Sequence, residues 1–334
     1  MQTLMRTNGQ TAGNLAGLFP SLIGDDLEQV ERILQQTLAP YRPHFGSLVQ
    51  HLKHYRGKRL RPTLLLLIAH ACGKSTPAHH VLGAVVEMIH TASLVHDDVL
   101  DEADTRRYVR TVNAGWGNKV SILLGDLLFT NAFHLSSSIG DVRACDWIGE
   151  ATNRVCAGEL LQTMQRGNLE LGEDDYFAII EGKTAALTEC CGRLGAFFAG
   201  ADAELVERMA GFGRDLGIAF QIADDVLDLV GSEATAGKTL GTDLKQRKLT
   251  LPLIYLFERA SASEAAAYRR SLLQESGGLR ELREALHETG AIEAAQLRAE
   301  SFAERAGEAL MELPESSCRT VLESIVGWSV RREA

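Results

Sequence analysis

The 334-residue sequence is poor in several things, and each shortage excludes something. It has only 7 prolines and no long apolar run. The strongest apolar stretch, LLLLIAHAC at 64–72, is too short to span a bilayer. The N-terminal stretch MQTLMRTNGQTAGNLAGLFP lacks the apolar centre of a signal peptide and reads as a loose, flexible tail over 1–20. The six cysteines form no CxxC pair and no zinc-ligand spacing, so they read as buried thiols in a reducing compartment. Net positive charge is absent too. At −10 the chain is a poor partner for nucleic acid. A soluble, cytoplasmic protein with no transmembrane segment is expected.

What is present favours helix. Ala, Leu, Glu and Arg are abundant, no strand-like alternation stands out, and apolar residues recur at helical spacing. Helices are expected at about 22–38, from Arg61–Pro62 onward, from Thr76–Pro77 to about 101, and at 118–139, 141–166, 174–199 and 203–229. Shorter ones fill 250–333. With no low-complexity linker and no shift in composition, 21–334 reads as one all-α domain.

The stretch LVHDDVLDEADTRR at 94–107 runs an apolar segment into Asp97, Asp98 and Asp101. QIADDVLDLVG at 221–231 repeats DDVLD with Asp224, Asp225 and Asp228. Average residue usage makes such a repeat an accident in roughly a few per cent of chains this long. Residues four apart share a helix face, so Asp97 pairs with Asp101 and Asp224 with Asp228. Both clusters sit near the end of a helical run, where the dipole disfavours anions. A single cluster reads as a solvated acidic face; two copies ask for a cation. Aspartates without His or Cys suit a hard ion such as Mg²⁺, usually held by a few carboxylates plus substrate phosphates. Two such clusters imply a polyphosphate clamped by metal ions.

Basic residues accompany the acids. HYRGKRLRP at 54–62 supplies Arg56, Lys58, Arg59 and Arg61; Arg106, Arg107 and Arg110 follow the first cluster, and Lys238, Lys245, Arg247 and Lys248 the second. Each could equally be a surface ion-pair partner. GSEATAGKT at 231–239 fails as a P-loop because five residues, not four, separate its glycines. HDD at 96–98 lacks the further histidines of a metal phosphohydrolase, and His96 reads as a supporting residue. His90 lies two helical turns before Asp97, within reach of a phosphate.

Taken together, GKRLRP, EMIHTASLVHDDVLDEADTRR, GDLLFTNAF, EGKTAAL, FQIADDVLD and GKTLGTDLKQRKLTLPL resemble, in order, the trans-polyprenyl diphosphate synthase family, over roughly 25–260. The resemblance implies an all-α helical bundle of the isoprenoid synthase type with a central active-site cavity, usually homodimeric. It implies Mg²⁺-dependent head-to-tail condensation of isopentenyl diphosphate with an allylic diphosphate, with three Mg²⁺ ions per loaded site. Asp97, Asp101 and Asp224 would bind metal, supported by Asp98, Asp225 and Asp228. Lys58, Arg61, His90 and Arg107 would hold isopentenyl diphosphate. Arg106, Lys183, Thr184, Gln221 and Lys238 would contact the allylic diphosphate, with Lys248 adding to that grip. The small residues Ala92 and Ser93 would leave a tunnel open for a long, octaprenyl-like product, walled further back by Ile89, Met88 and Val85 and limited by Phe129 or Phe133. Two departures stand out: Arg56 where glycine is common, and Gly182 where serine is. The alternatives are a short-chain geranylgeranyl or farnesyl diphosphate synthase, a regulatory subunit of a heteromeric synthase, and a class I terpene cyclase. The last two fit less well, since all six aspartates are present.

Overall fold

The computed structural model describes residues 11–106, 108–230, 243, 246–273 and 279–331. The described chain is all-α apart from one small hairpin. It groups into two compact units. One unit comprises Met1–Thr152, Leu187–Gly211 and Leu310–Glu323; the other comprises Asn153–Ala186, Phe212–Ala309 and Ser324–Ala334.

The first unit begins with α1 (Thr11–Leu38), which stops before Pro40 as expected. Residues 11–20, expected as part of a loose tail, are helical: Leu15, Leu18 and Leu22 carry the apolar spacing upstream. Next come α2 (Arg42–His51), a 3₁₀ turn (Leu52–Tyr55), α3 (Leu60–Cys72) and α4 (Pro77–Leu100). Pro77 opens α4 after Thr76, whose amide donates to His79 Nδ1 at 3.0 Å. A hairpin of β1 (Thr105–Arg106) and β2 (Val109–Arg110) follows, with Thr105 opposite Arg110. Two-residue strands are too short to show alternation, so no periodicity marks them in the sequence. Then come α5 (Val112–Trp116), α6 (Asn118–Ser137), the opening of α7 (Val142–Met164), most of α9 (Ala186–Phe198) and the first third of α10 (Ala203–Val230).

The core of this unit is α3 and α4. Leu64 to Ala69 are all buried, as are Leu82, Val85, Val86, Met88, Ile89 and Ala92. These helices are apolar nearly all round because α4 packs on α1, α3 and α6. At Gly125 of α6, a Cβ would meet the His96 ring at 2.1 Å, so glycine is what lets α6 lie against the end of α4.

The second unit holds the rest of α7, α8 (Glu173–Ile180), a π-helical turn (Glu181–Ala185) and the remainder of α10. It also holds α11 (Leu251–Arg259), α12 (Ala262–Leu273), α13 (Leu279–Glu288), α14 (Ala291–Leu310) and the end of α15 (Ser317–Val330). The helix expected at 174–199 therefore contains a π turn. That turn sits where two glycines meet: a Cβ on Gly158 would fall 2.4 Å from the Lys183 amide nitrogen, and one on Gly182 would fall 2.8 Å from the Arg154 carbonyl oxygen. Gly182, one of the two departures, is thus required by the close approach of α7. No described helix is long and apolar enough to cross a membrane.

Candidate active site

In the first unit the acidic cluster closes α4. Asp101 is its C-cap, and the Asp101 amide donates to the Asp97 carbonyl at 2.8 Å, so helical register persists and the two side chains share a face. Asp97 and Asp101 are half-buried, whereas Asp98 is 1% exposed. Both oxygens of Asp98 are occupied: Tyr55 OH donates to Oδ2 at 2.5 Å and Arg106 Nε to Oδ1 at 2.9 Å. Tyr55 OH in turn accepts the Val112 amide at 3.1 Å. Burial and the Asp98 carboxylate push the Tyr55 phenol well above its ordinary pKa. Asp98 thus ties the hairpin and α5 back to α4, and Arg106 is positioned by it. Arg107 lies outside the described residues.

The GKRLRP segment divides its cations between anchoring and display. Arg59 sits at φ 55°, with Nε 2.5 Å from Glu31 and Nη1 2.5 Å from the buried Glu87 on α4. Arg56 pairs with Glu31 at 3.4 Å. Its φ of −60° is open to any residue, so the glycine common at this position is dispensable. Lys58 is exposed. Arg61 is half-buried, and its Nε is buried without a hydrogen-bond partner; burial lowers its pKa, opposed by Glu87. A guanidinium N–H in that condition suits an anion. His90 is half-buried and lies on the Asp97 face of α4. Ala92 and Ser93 part company: Ala92 is fully buried, whereas Ser93 is half-buried with Oγ donating to the His90 carbonyl at 2.8 Å. Val85, Met88 and Ile89 are packed in the core with Ala92. Phe133 is 37% exposed, and Phe129 lies against His96.

In the second unit a chain of hydrogen bonds links Thr184, Gln221 and Asp225. Lys183 Nζ pairs with Glu159 of α7 at 2.6 Å. Thr184 Oγ1 donates to Gln221 Oε1 at 2.8 Å, Gln221 Nε2 to Asp225 Oδ1 at 2.7 Å, and Tyr176 OH to Asp225 Oδ2 at 2.7 Å. Asp225 and Asp228 are buried and Asp224 is half-buried. Asp228 accepts the amide of Asp243 at 3.1 Å. Burial first, and the nearby Asp243 second, push the Asp225 carboxyl well above the usual carboxylate range. Lys183, Thr184, Gln221, Asp225, Asp243 and Lys248 line a single cavity of about 100 Å³, with Arg166 and Thr250. Lys238 lies outside the described residues.

Sequence reasoning missed Tyr55, Tyr176, Glu159 and Asp243. Only Asp243 had a readable signal, an acid amid the cations of GKTLGTDLKQRK. The tyrosines act from distant segments and carried none.

The half-buried aspartates offer oxygen ligands only, which fits a hard divalent ion. Among the described residues no three His, Cys, Asp or Glu side chains form a ready-made metal cage. Mg²⁺ held by one or two carboxylates plus phosphate oxygens needs none.

The chain is similar in sequence and fold to known proteins. The polyprenyl synthetase family matches residues 42–289. The octaprenyl diphosphate synthase of Escherichia coli (strain K12) is 34% identical, with 99% of each chain covered. The crystal structure of a decaprenyl diphosphate synthase from Rhodobacter capsulatus superposes with a TM-score of 0.89 at 36% identity, covering 95% of this chain and 99% of that one. A polyprenyl synthase from Caulobacter crescentus CB15, complexed with calcium and isoprenyl diphosphate, gives 0.88 at 34% identity, covering 95% and 97%. With its all-helical fold, its repeated aspartate cluster and these relatives, the chain belongs to the polyprenyl synthetase family.

Proposed function

We propose that the chain condenses an allylic diphosphate head-to-tail with isopentenyl diphosphate to make a long, octaprenyl-like product, using Mg²⁺. The observation that carries this reading is the second unit's cavity. Lys183, Thr184, Gln221 and Lys248, all expected at an allylic diphosphate, converge on it. Asp97, Asp101 and Asp224 would hold Mg²⁺ as hard oxygen ligands, half-buried where Asp98, Asp225 and Asp228 are buried. Bound Mg²⁺ would supply charge neutralisation to the departing diphosphate.

The chain's own residues do the rest. Lys183 and Lys248 place positive charge at the leaving group. Lys183 is held ready by Glu159, an ion pair it shares or exchanges when the diphosphate arrives. Arg106, its orientation kept through Asp98, would contact the allylic diphosphate. Arg61 and Lys58, with His90 and Arg107, hold isopentenyl diphosphate, and the unpartnered Arg61 Nε gains its acceptor there. As the allylic C–O bond breaks, the isopentenyl double bond attacks the allylic carbon. A proton then leaves to the released pyrophosphate, an anion set free beside the new cation.

The growing hydrocarbon follows α4 back from Asp97, and burying each five-carbon unit contributes roughly 3–4 kcal/mol, at ~0.8 kcal/mol per carbon. Ser93, small and half-buried, is the residue it meets. Ala92 is small because it is packed. A homodimer is supported by α6, which leaves Leu123 67%, Ile122 46% and Phe133 37% exposed.

The test is to incubate pure protein with Mg²⁺, a short allylic diphosphate and labelled isopentenyl diphosphate, and to resolve products by length. Wild type should give long chains, Ser93→Phe should stop near farnesyl or geranylgeranyl diphosphate, and Ala92→Phe should chiefly lower stability. No condensation at all would refute the reading; a wild type that stops at geranylgeranyl diphosphate would refute the long-chain part.

A further inference from the structure

Thr250 is 6% exposed and lines the second unit's cavity, yet its Oγ1 has no hydrogen-bond partner. It is the one described cavity-lining residue with a buried, unpartnered side-chain oxygen or nitrogen. Its position makes that unusual. Thr250 is the N-cap of α11, a nine-residue helix, where a threonine hydroxyl ordinarily accepts an amide of the first turn. Here it caps nothing. Pro252 in the first turn has no N–H, and the Leu253 and Ile254 amides go instead to the Thr250 carbonyl, at 2.9 and 3.1 Å. The hydroxyl is left over as a donor, at the positive end of a helix dipole, in a cavity that also receives Lys183 and Lys248. The hydroxyl, the helix dipole and the two lysines favour an anionic oxygen, in a cavity that Asp225 and Asp243 also line.

We propose that Thr250 Oγ1 and the N-terminal end of α11 form a further phosphoryl-oxygen site that positions the allylic diphosphate. The proposal rests on the reading of this cavity as the diphosphate site. Thr250 is a binding residue under it: its O–H donates to a phosphoryl oxygen, which satisfies the buried hydroxyl and fixes one end of the leaving group. Isopentenyl diphosphate carries the same chemistry, so the test must separate the two substrates.

The experiment uses the full chain and inorganic pyrophosphate with Mg²⁺ as probe, by calorimetry, on wild type, Thr250→Val, Thr250→Ser and Lys183→Ala. Val keeps the shape and removes the hydroxyl; Ser keeps the hydroxyl. Thr250→Val should weaken pyrophosphate binding about tenfold, the worth of one hydrogen bond to a charged acceptor. It should raise KM for the allylic diphosphate by a similar factor and leave KM for isopentenyl diphosphate unchanged, while Thr250→Ser binds as wild type. Unaltered affinity in Thr250→Val, or equal loss in Thr250→Ser, would overturn the Thr250 assignment. So would a rise confined to KM for isopentenyl diphosphate. If Lys183→Ala also binds pyrophosphate like wild type, the cavity is not the diphosphate site and the underlying reading falls with it.

Discussion

The two DDVLD segments share five letters and little else. In both, the second aspartate is buried and accepts a tyrosine hydroxyl, Tyr55 to Asp98 and Tyr176 to Asp225. The remaining partner differs. Asp98 has Arg106, a full positive charge; Asp225 has the amide of Gln221, a neutral donor, and Asp243 nearby. The third aspartate differs too: Asp101 is half-buried at a helix C-cap, while Asp228 is 2% exposed and takes the Asp243 amide. Identical letters therefore do different work according to what the rest of the chain brings to them. The half-buried carboxylates keep some exposure to solvent, and the buried Asp98 and Asp225 are held by tyrosine hydroxyls within the framework.

The strongest way to break this division is to remove the available carboxylates. Asp97→Ala, Asp101→Ala or Asp224→Ala should each lower turnover by about two to three orders of magnitude, since stabilisation of a departing charge is worth that much. Circular dichroism and unfolding midpoints should hold or rise slightly, because a repulsive charge has gone. Near-normal turnover in any of the three would sink its assignment as a metal ligand.

The buried pair should part on stability. Asp98→Asn strands the Arg106 charge, and breaking a largely buried ion pair costs about 3 kcal/mol. Asp225→Asn replaces a carboxyl held toward its neutral form and should cost no more than about 1 kcal/mol. Urea unfolding without divalent ions measures both, and equal losses would erase the distinction. Smaller still is the tyrosine comparison. Tyr55→Phe strands both Asp98 and the Val112 amide, for roughly 2–3 kcal/mol, against about 1 kcal/mol for Tyr176→Phe, which strands Asp225 alone.

The least of these effects is a pH slope. The folded pKa of Asp225 is raised by burial and by Asp243. The folded state therefore holds that proton more tightly than the unfolded one. Its contribution to stability is complete below an unfolded pKa of about 4 and is lost as pH rises through the folded value. In metal-free protein, Asp225→Asn should flatten the decline of unfolding free energy with rising pH; an unchanged slope would mean the carboxyl is ionised throughout.

Much of this was legible beforehand. Helical periodicity placed α3, α4, α6, α7 and α10 closely, because long amphipathic or apolar helices repeat their signal over several turns. Thr76–Pro77 marked a true start. The π turn was hidden, since one extra residue in a turn leaves the local apolar pattern almost intact; it depends on Gly158, more than twenty residues away. The duplicated aspartates were conspicuous, and the resemblance already set Asp97, Asp101 and Asp224 apart from their supporters, but the partners Tyr55 and Tyr176 were hidden because they reach the aspartates through the fold. Arg59 was one cation among several in HYRGKRLRP, and only the fold shows it as an anchor between Glu31 and Glu87. The tunnel reading treated Ala92 and Ser93 alike; only packing separates them.

The division itself is tested most directly on neighbouring residues of one motif, Asp97 and Asp98. Mg²⁺-dependent binding of inorganic pyrophosphate, measured by calorimetry alongside urea unfolding, should fall more than about tenfold in Asp97→Asn with an unchanged midpoint. Asp98→Asn should show the converse emphasis, a clearly lowered midpoint. Wild-type pyrophosphate affinity in Asp97→Asn, or an undisturbed midpoint in Asp98→Asn, would contradict it.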